Sequence, residues 1–186
     1  MSDILEGVDT YSRPSFSLKN RLKRLVWGIV YAVFYRPTPR PMNGWRVFLL
    51  RFFGAKIGAG STVKSSIRVW APWNLEMGDY SALGEGVNVY SMAKITIGNK
   101  VTVSQGSHLC AGTHDYTSKN FQLYAEPITI GNDAWVCTEC FVGPGVTIGE
   151  GAVIGARGVA TKDMPAWTVC AGNPCKPIKP RVMRDE

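Results

Sequence analysis

A six-residue rhythm of apolar side chains is the feature that most constrains how this chain can fold. Fifteen positions in five groups of three step by six residues within each group, and fourteen of them are Ile, Val, Leu or Met: 57, 63, 69; 77, 83, 89; 97, 103, 109; 130, 136, 142; 148, 154 and 160. A small residue commonly follows four places later, and Gly directly follows eight of the fifteen. This period fits neither an α-helix nor a simple strand alternation. It is typical of short strands joined by tight turns, with both recurring side chains facing inward.

Three such hexads complete one triangular turn, so the pattern predicts an all-β fold, a parallel β-helix of about five coils. Two-residue insertions at 75–76, 95–96 and 128–129 fall at coil boundaries and keep the phase. Ile67, Trp73 and Met164 replace the small residue, so we expect irregular terminal coils. The chain is accordingly divided into an N-terminal helical, basic segment (residues 1–56) and a β-helix domain with a C-terminal tail (residues 57–186).

Residues 115–127 interrupt the repeat, which resumes at Ile128. A long excursion from a regular solenoid is commonly functional, because loops carry much of a protein's binding and catalysis. A surface insertion that the fold merely tolerates is the alternative interpretation.

Charge is concentrated in the N-terminal third. Residues 10–75 contain twelve Lys and Arg and no Asp or Glu, which predicts an anionic partner. The same third of the chain contains a run of eleven uncharged residues, Leu25–Tyr35, which is too short for a bilayer span of about 20 residues. With a second apolar set around residues 45–52, it predicts two amphipathic helices. These helices either make peripheral membrane contact through residues 18–56 or fold back and cap the first coil. No nucleic-acid recognition motif accompanies the charge.

Five cysteines and an acidic N-terminus without an apolar leader predict a reducing, cytoplasmic location, at the inner face of a membrane if the helices bind lipid. The phase of the repeat points Cys137 and Cys140 in different directions, so we interpret both as structural. His108 and His114 are the only histidines, which argues against a zinc site built from three His ligands.

The motifs of the repeat resemble those of the hexapeptide-repeat acyltransferases, and more narrowly the colanic-acid-type O-acetyltransferases of exopolysaccharide biosynthesis. The resemblance rests on 36–41, 53–58, 104–106, 112–116, 130–135, 143–149, 154–156, 159–165 and 171–176. It implies a left-handed coil, a homotrimer, acetyl-CoA as the acyl donor and no metal. It further implies acetylation of a hydroxyl on a sugar or lipid-linked glycan.

The resemblance also implies roles for individual residues. His114, in Gly-Thr-His, would be the general base on the acceptor hydroxyl, a task suited to a side chain that titrates near neutral pH. CoA contacts are implied along one edge of the column at Thr138, Ala156, Thr161, Lys162, Lys176 and Lys179, with Trp135 close to the reacting end. Trp135 is alternatively a corner residue at a subunit contact. Gly84 stands where simple-sugar acetyltransferases carry an acceptor-binding Asn, so Asn88 or Tyr90 are considered as substitutes.

A non-enzymatic function is the remaining alternative. A trimeric β-helix scaffold at the membrane surface would need neither CoA nor His114.

Overall fold

The computed structural model describes residues 4–184, which form a three-sided parallel β-helix capped by helices. Strands are numbered in chain order. The first face holds β1 (Lys56–Ile57), β4 (Leu75–Met77), β7 (Ile95–Ile97), β12 (Ile128–Ile130) and β15 (Thr147–Ile148). The second holds β2 (Thr62–Val63), β5 (Ala82–Leu83), β8 (Thr102–Val103), β13 (Trp135–Val136), β16 (Val153–Ile154), β18 (Thr168–Ala171) and β19 (Lys176–Pro180). The third holds β3 (Arg68–Val69), β6 (Asn88–Tyr90), β9 (His108–Cys110), β14 (Phe141–Val142) and β17 (Val159–Ala160).

The predicted repeat is confirmed residue by residue. All fifteen apolar positions lie on strands of the three faces and are buried, and the parallel register stacks equivalent positions such as Ile57 on Met77. Five coils are complete. A sixth begins where Met164 bridges Ile148 and β18 extends the second face, and the antiparallel β19 then closes that face.

Side-chain amides and a carboxylate fasten the turns between the first and second faces. Oδ1 of Asp79 accepts from the backbone N–H of Ala59, Asn99 Oδ1 from Asp79 N–H, and Asn132 Oδ1 from Asn99 N–H, at 2.7–2.8 Å. We call this series the corner ladder. It leaves no room for a side chain beneath each rung: a Cβ at Gly98 would lie 2.6 Å from Asn132 Oδ1. Close approach therefore explains the glycines at 58, 78 and 98.

The N-terminal helices fold back onto the first coil. Ser17 caps α1 (Leu18–Val30), a π-helical turn (Tyr31–Tyr35) continues it, and α2 (Asn43–Phe52) follows a Pro-rich turn. The Trp27 indole N–H donates to the carbonyl oxygen of Val69 at 2.7 Å, and the Tyr35 hydroxyl to that of Lys64 at 3.1 Å. The capping interpretation is therefore correct.

The helices and the column share one hydrophobic cluster that includes Trp27, Leu50 and Ile57. The division of the chain at residue 56 stays a prediction, and residues 1–3 and 185–186 of the two segments lie outside the described residues.

Candidate active site

The interruption of the repeat is a β-hairpin that leaves the column at the corner between the third and first faces. Strand β10 (Gly112–His114) pairs antiparallel with β11 (Leu123–Ala125), with His114 opposite Leu123. The chain returns to the column at β12, where Ile128 stacks on Ile95. The column therefore continues as if the hairpin were absent, and the hairpin can be specialised without disturbing the core.

His114 is the histidine of this hairpin, and its ring is held in place from one side. Its Nδ1 lies 2.8 Å from the carbonyl oxygen of Phe121, and the two rings stack with centroids 4.3 Å apart. Since a carbonyl only accepts, Nδ1 carries the proton and Nε2 of the neutral ring is left with a lone pair. His114 is only partly buried, so part of its side chain is open to solvent.

The residues that the resemblance assigns to CoA lie at two corners rather than along one edge. Thr138 and Ala156 follow strands β13 and β16 and stack on each other at the corner between the second and third faces. Thr161 and Lys162 follow β17, at the same corner from which the His114 hairpin leaves. Within a single chain these positions therefore do not share one edge: 138 and 156 are one 18-residue coil apart, whereas 161 is only five residues beyond 156 and lies at the next corner. Whether these four residues contact CoA stays a prediction.

The remaining three predicted CoA residues lie on the second face. Trp135 begins β13, is about half exposed, and donates from its indole N–H to the Ser104 hydroxyl at 2.9 Å. Lys176 and Lys179 are exposed on β19, beside Ala171 and Val169 of β18. Their contact with CoA stays a prediction.

Glycine at position 84 fits the little space that the next coil leaves there. A Cβ at Gly84 would lie 2.8 Å from the backbone nitrogen of Gln105 in the next coil. Asn88 does not stand free as a substitute, since its side-chain amide lies 3.2 Å from Nε2 of His108.

An aromatic row on the outside of the third face was not predicted. Rings of Trp70, Tyr90, His108 and Phe141 follow one another edge to face, with neighbouring centroids 5.6–6.1 Å apart. Together with α1 the first two line a cleft of about 420 Å³ whose cations are Arg24 and Arg68. The sequence does contain a signal for this row, because each of the four rings belongs to a residue directly before or after an inward-facing apolar residue of the third face.

Among the described residues, nothing around His108, Cys137 or Cys140 favours the charged form of the side chain over burial. Burial lowers the pKa of His108 and raises those of the Cys137 and Cys140 thiols, which are free and not disulfide-bonded. Cys140 is buried and Cys137 only partly so, as the phase of the repeat predicts. No three His, Cys, Asp or Glu side chains between residues 4 and 184 are grouped to hold a metal ion.

A three-sided parallel column with a histidine-bearing hairpin is typical of hexapeptide-repeat acetyltransferases, and comparison with known proteins establishes the relationship. The chain belongs to this family and is an acetyltransferase. It is 45% identical to the Escherichia coli protein named "Putative colanic acid biosynthesis acetyltransferase WcaF", over 96% of this chain and 98% of the relative. It is 31% identical to the E. coli galactoside O-acetyltransferase, over 76% and 71%. No family model matches the chain.

Solved structures agree on the fold. A galactoside acetyltransferase in complex with coenzyme A superimposes with a TM-score of 0.83 at 28% identity, over 91% of this chain and 86% of that one. A maltose O-acetyltransferase from Clostridium difficile gives 0.82 at 25% identity, over 90% of each. The fold is the left-handed β-helix of these acetyltransferases, as the resemblance implies. Across residues 4–184, no helix is both long and apolar enough to cross a bilayer.

Proposed function

We propose that this chain transfers the acetyl group of acetyl-CoA directly to a sugar hydroxyl in exopolysaccharide biosynthesis. The observation that carries the proposal is the geometry of His114: Nδ1 is engaged by the Phe121 carbonyl, and Nε2 is left for a substrate. The names of the relatives support acetyl transfer, a sugar acceptor and a role in colanic-acid-type polysaccharide synthesis. The galactoside acetyltransferase structure in complex with coenzyme A supports the donor.

In the proposed reaction, Nε2 of His114 removes the proton of the acceptor hydroxyl as its oxygen attacks the thioester carbonyl. A carbon–oxygen bond forms, and the carbon–sulfur bond of acetyl-CoA then breaks. The imidazolium returns its proton to the departing thiolate. Atoms and charges balance with no covalent enzyme intermediate, and the raised thiol pKa values of the cysteines give no support to an acyl-cysteine route.

The test is turnover by a His114→Ala variant, followed as release of the CoA thiol with a panel of nucleotide-sugar and lipid-linked acceptors. We expect kcat to fall by about 10²- to 10⁴-fold while acetyl-CoA still binds. His108→Gln is the matched control, because it removes the other histidine. Undiminished turnover by His114→Ala would show that His114 is not the general base. A wild-type chain with no CoA affinity would instead favour the non-enzymatic scaffold.

We further propose that the active site lies between chains of a homotrimer. Thr138 and Ala156 are one corner away from the His114 hairpin, so a neighbouring chain would bring the two groups together. Mixing His114→Ala chains with Ala156→Glu chains tests this arrangement. Random assembly should restore about a quarter of wild-type activity, because a shared site needs one intact residue from each chain. No recovery on mixing would place the whole site within one chain.

The acceptor is proposed to be a sugar or lipid-linked glycan, reached through peripheral contact of residues 18–56 with the inner face of a membrane. Although the helices cap the column, their outer surface retains apolar side chains: exposed Leu18, Leu22, Val26 and Phe52 line an open cleft of about 840 Å³. Lys19 and Lys23 also line this cleft. Residues 10–75 contain no acid, so this surface is positively charged and would repel a second copy of itself. Anionic lipid headgroups would instead be attracted to it.

Co-sedimentation with phosphatidylglycerol and phosphatidylcholine vesicles tests the membrane contact. We expect binding to the anionic vesicles that weakens with salt, and loss of binding in Leu22→Glu and in Lys19→Glu combined with Lys23→Glu. Ile178→Glu is the matched control, since Ile178 is similarly exposed on β19. If the helix variants change the oligomeric mass and leave vesicle binding intact, the cleft is a contact between chains and the membrane proposal is wrong.

Mass spectrometry of the host polysaccharide with and without the gene would identify the acetylated sugar. The expected result is loss of an acetyl group from the repeating unit when the gene is removed. An unchanged polysaccharide would contradict the exopolysaccharide role.

A further inference from the structure

The N-terminal segment, residues 4–12, lies against the loop of the His114 hairpin, more than 100 residues away in sequence. The backbone N–H of Thr10 donates to the carbonyl oxygen of Asn120 at 3.2 Å. In return, the Asn120 side-chain amide donates to the carbonyl oxygen of Val8 at 3.4 Å. The loop is therefore held by a segment that precedes the helical cap and contributes nothing to the column.

The Phe121 carbonyl is the point at which this segment reaches His114. The Thr10 hydroxyl donates to the Phe121 oxygen at 2.8 Å, and the Asn120 oxygen lies 3.1 Å from the same hydroxyl. His114 Nδ1 lies 2.8 Å from the same Phe121 oxygen. A carbonyl oxygen has two lone pairs, so one accepts from Thr10 and the other from the imidazole.

Phe121 needs external support to present this oxygen. Its φ of +48° lies in the left-handed region, which is unfavourable for a residue with a bulky side chain. Its ring also stacks on two other rings, on His114 with centroids 4.3 Å apart and on Tyr11 with centroids 5.8 Å apart. Tyr11 and Thr10 are adjacent, so two neighbouring residues hold both the ring and the carbonyl of Phe121.

We propose that Thr10 is a positioning residue for His114. By fixing the Phe121 carbonyl, its hydroxyl keeps the proton of the neutral imidazole on Nδ1 and the lone pair on Nε2. The catalytic consequence rests on the proposed role of His114 as general base, whereas the effect on the imidazole does not. Thr10 touches neither donor nor acceptor in this scheme and acts only through the hairpin.

Three variants isolate the hydroxyl. Thr10→Val keeps the shape of the side chain and removes the donor, and Thr10→Ser restores the donor. Ser12→Ala is the matched control, because the Ser12 hydroxyl bonds to Asp9 within the same segment. The first measurement is the 15N spectrum of the imidazole rings, which is simple because the chain has two histidines. The second is the separate determination of kcat and of KM for acetyl-CoA.

We expect the ring of His114 to show a single tautomer, protonated on Nδ1, in the wild type and in Thr10→Ser. Thr10→Val should give a mixture of tautomers at His114 and no change at His108. Its kcat should fall about tenfold at unchanged KM for acetyl-CoA, and Ser12→Ala should resemble the wild type.

A different pattern would overturn the proposal. If Thr10→Val lowers the melting temperature but leaves the His114 tautomer and kcat unchanged, Thr10 only attaches the segment. Failure of the general-base proposal is distinguishable, because it would appear as full turnover by His114→Ala while the tautomer shift in Thr10→Val persisted.

Discussion

The guanidinium of Arg46 is buried between the helical cap and the first coil, and its Nε donates to the carbonyl oxygen of Val63 at 2.8 Å. Its two terminal nitrogens donate to the Thr38 hydroxyl and to the carbonyl oxygens of Pro39 and Arg40, at 2.9–3.0 Å. One side chain from α2 thus joins the Pro-rich turn to strand β2. The planar, multiply donating guanidinium is suited to this task, and the single ammonium of Lys is not.

Replacing Arg46 by Met should therefore destabilise the cap. Met keeps much of the stem volume but leaves several buried oxygens without a donor, so we expect the free energy of unfolding to fall by about 2–4 kcal/mol. Denaturant unfolding measures the change. The control is Arg40→Lys, whose exposed ion pair with Glu85 should contribute less than about 1 kcal/mol. Equal effects of the two substitutions would contradict the structural role of Arg46.

Gly98→Ala should destabilise the column. The added Cβ would lie 2.6 Å from Oδ1 and 2.7 Å from the backbone nitrogen of Asn132, so the corner ladder must shift, at a cost of about 1–3 kcal/mol. Gly28→Ala in α1 is the control with the opposite expectation, because its added Cβ would have no atom within 4 Å. Its free energy of unfolding should rise by about 0.5–1 kcal/mol, since Ala has the higher helix propensity. Thermal unfolding should show a lower melting temperature than the wild type for Gly98→Ala and a higher one for Gly28→Ala. A stable Gly98→Ala protein would show that close approach does not select glycine there.

Gly84→Asn should fail to convert the protein into a simple-sugar acetyltransferase. Although it introduces the residue type that the family resemblance implies for those enzymes, its Cβ would lie 2.8 Å from the Gln105 backbone nitrogen. We expect a lower melting temperature and no new activity on galactosides, measured by CoA release. Glu85→Gln, at the neighbouring exposed position, controls for substitution at this corner. A folded Gly84→Asn protein that acetylates galactosides would make position 84 the determinant of acceptor choice.

The Cys175 thiol should make stability fall at alkaline pH. Burial raises its pKa from 9.0 to about 11, so the folded state holds the proton over a range in which the unfolded chain has lost it. The resulting stabilisation is complete below pH 9 and declines as the pH rises towards 11. Because Tyr and Lys side chains also titrate there, the measurement is the difference in unfolding free energy between wild type and Cys175→Ala across this range. A difference that does not depend on pH would exclude the thiol as the cause.

The column was predictable because its information is local. One strand and one turn together take six residues, so an inward-facing apolar residue recurs at that spacing. The spacing of Ile57, Val63 and Val69 in the first coil therefore predicts the spacing in the later coils. The two-corner arrangement of Thr138 and Thr161 is predictable for the same reason, because the spacing of residues along the coil determines the corner at which each one lies.

The contacts around His114 were not predictable in the same way. The pairing of Thr10 with Asn120 and Phe121 joins segments 110 and 111 residues apart, and neither segment belongs to the repeat. No periodicity specifies such a contact. The sequence also does not distinguish a membrane from the first coil as the contact of the N-terminal helices, because an amphipathic pattern identifies an apolar face but not what covers it. Here one side of the helices covers the first coil and the other retains exposed apolar residues.

The corner ladder has a consequence for how the molecule opens. Each rung, such as Asn132 to Asn99, connects only adjacent levels, so loosening is expected to begin at an end and advance level by level. Amide protons in β7 and β8 should then exchange most slowly, and those in β18 and β19 earlier. The His114 hairpin branches from this slowest region, so the proposed base is attached to the part of the molecule that frays last.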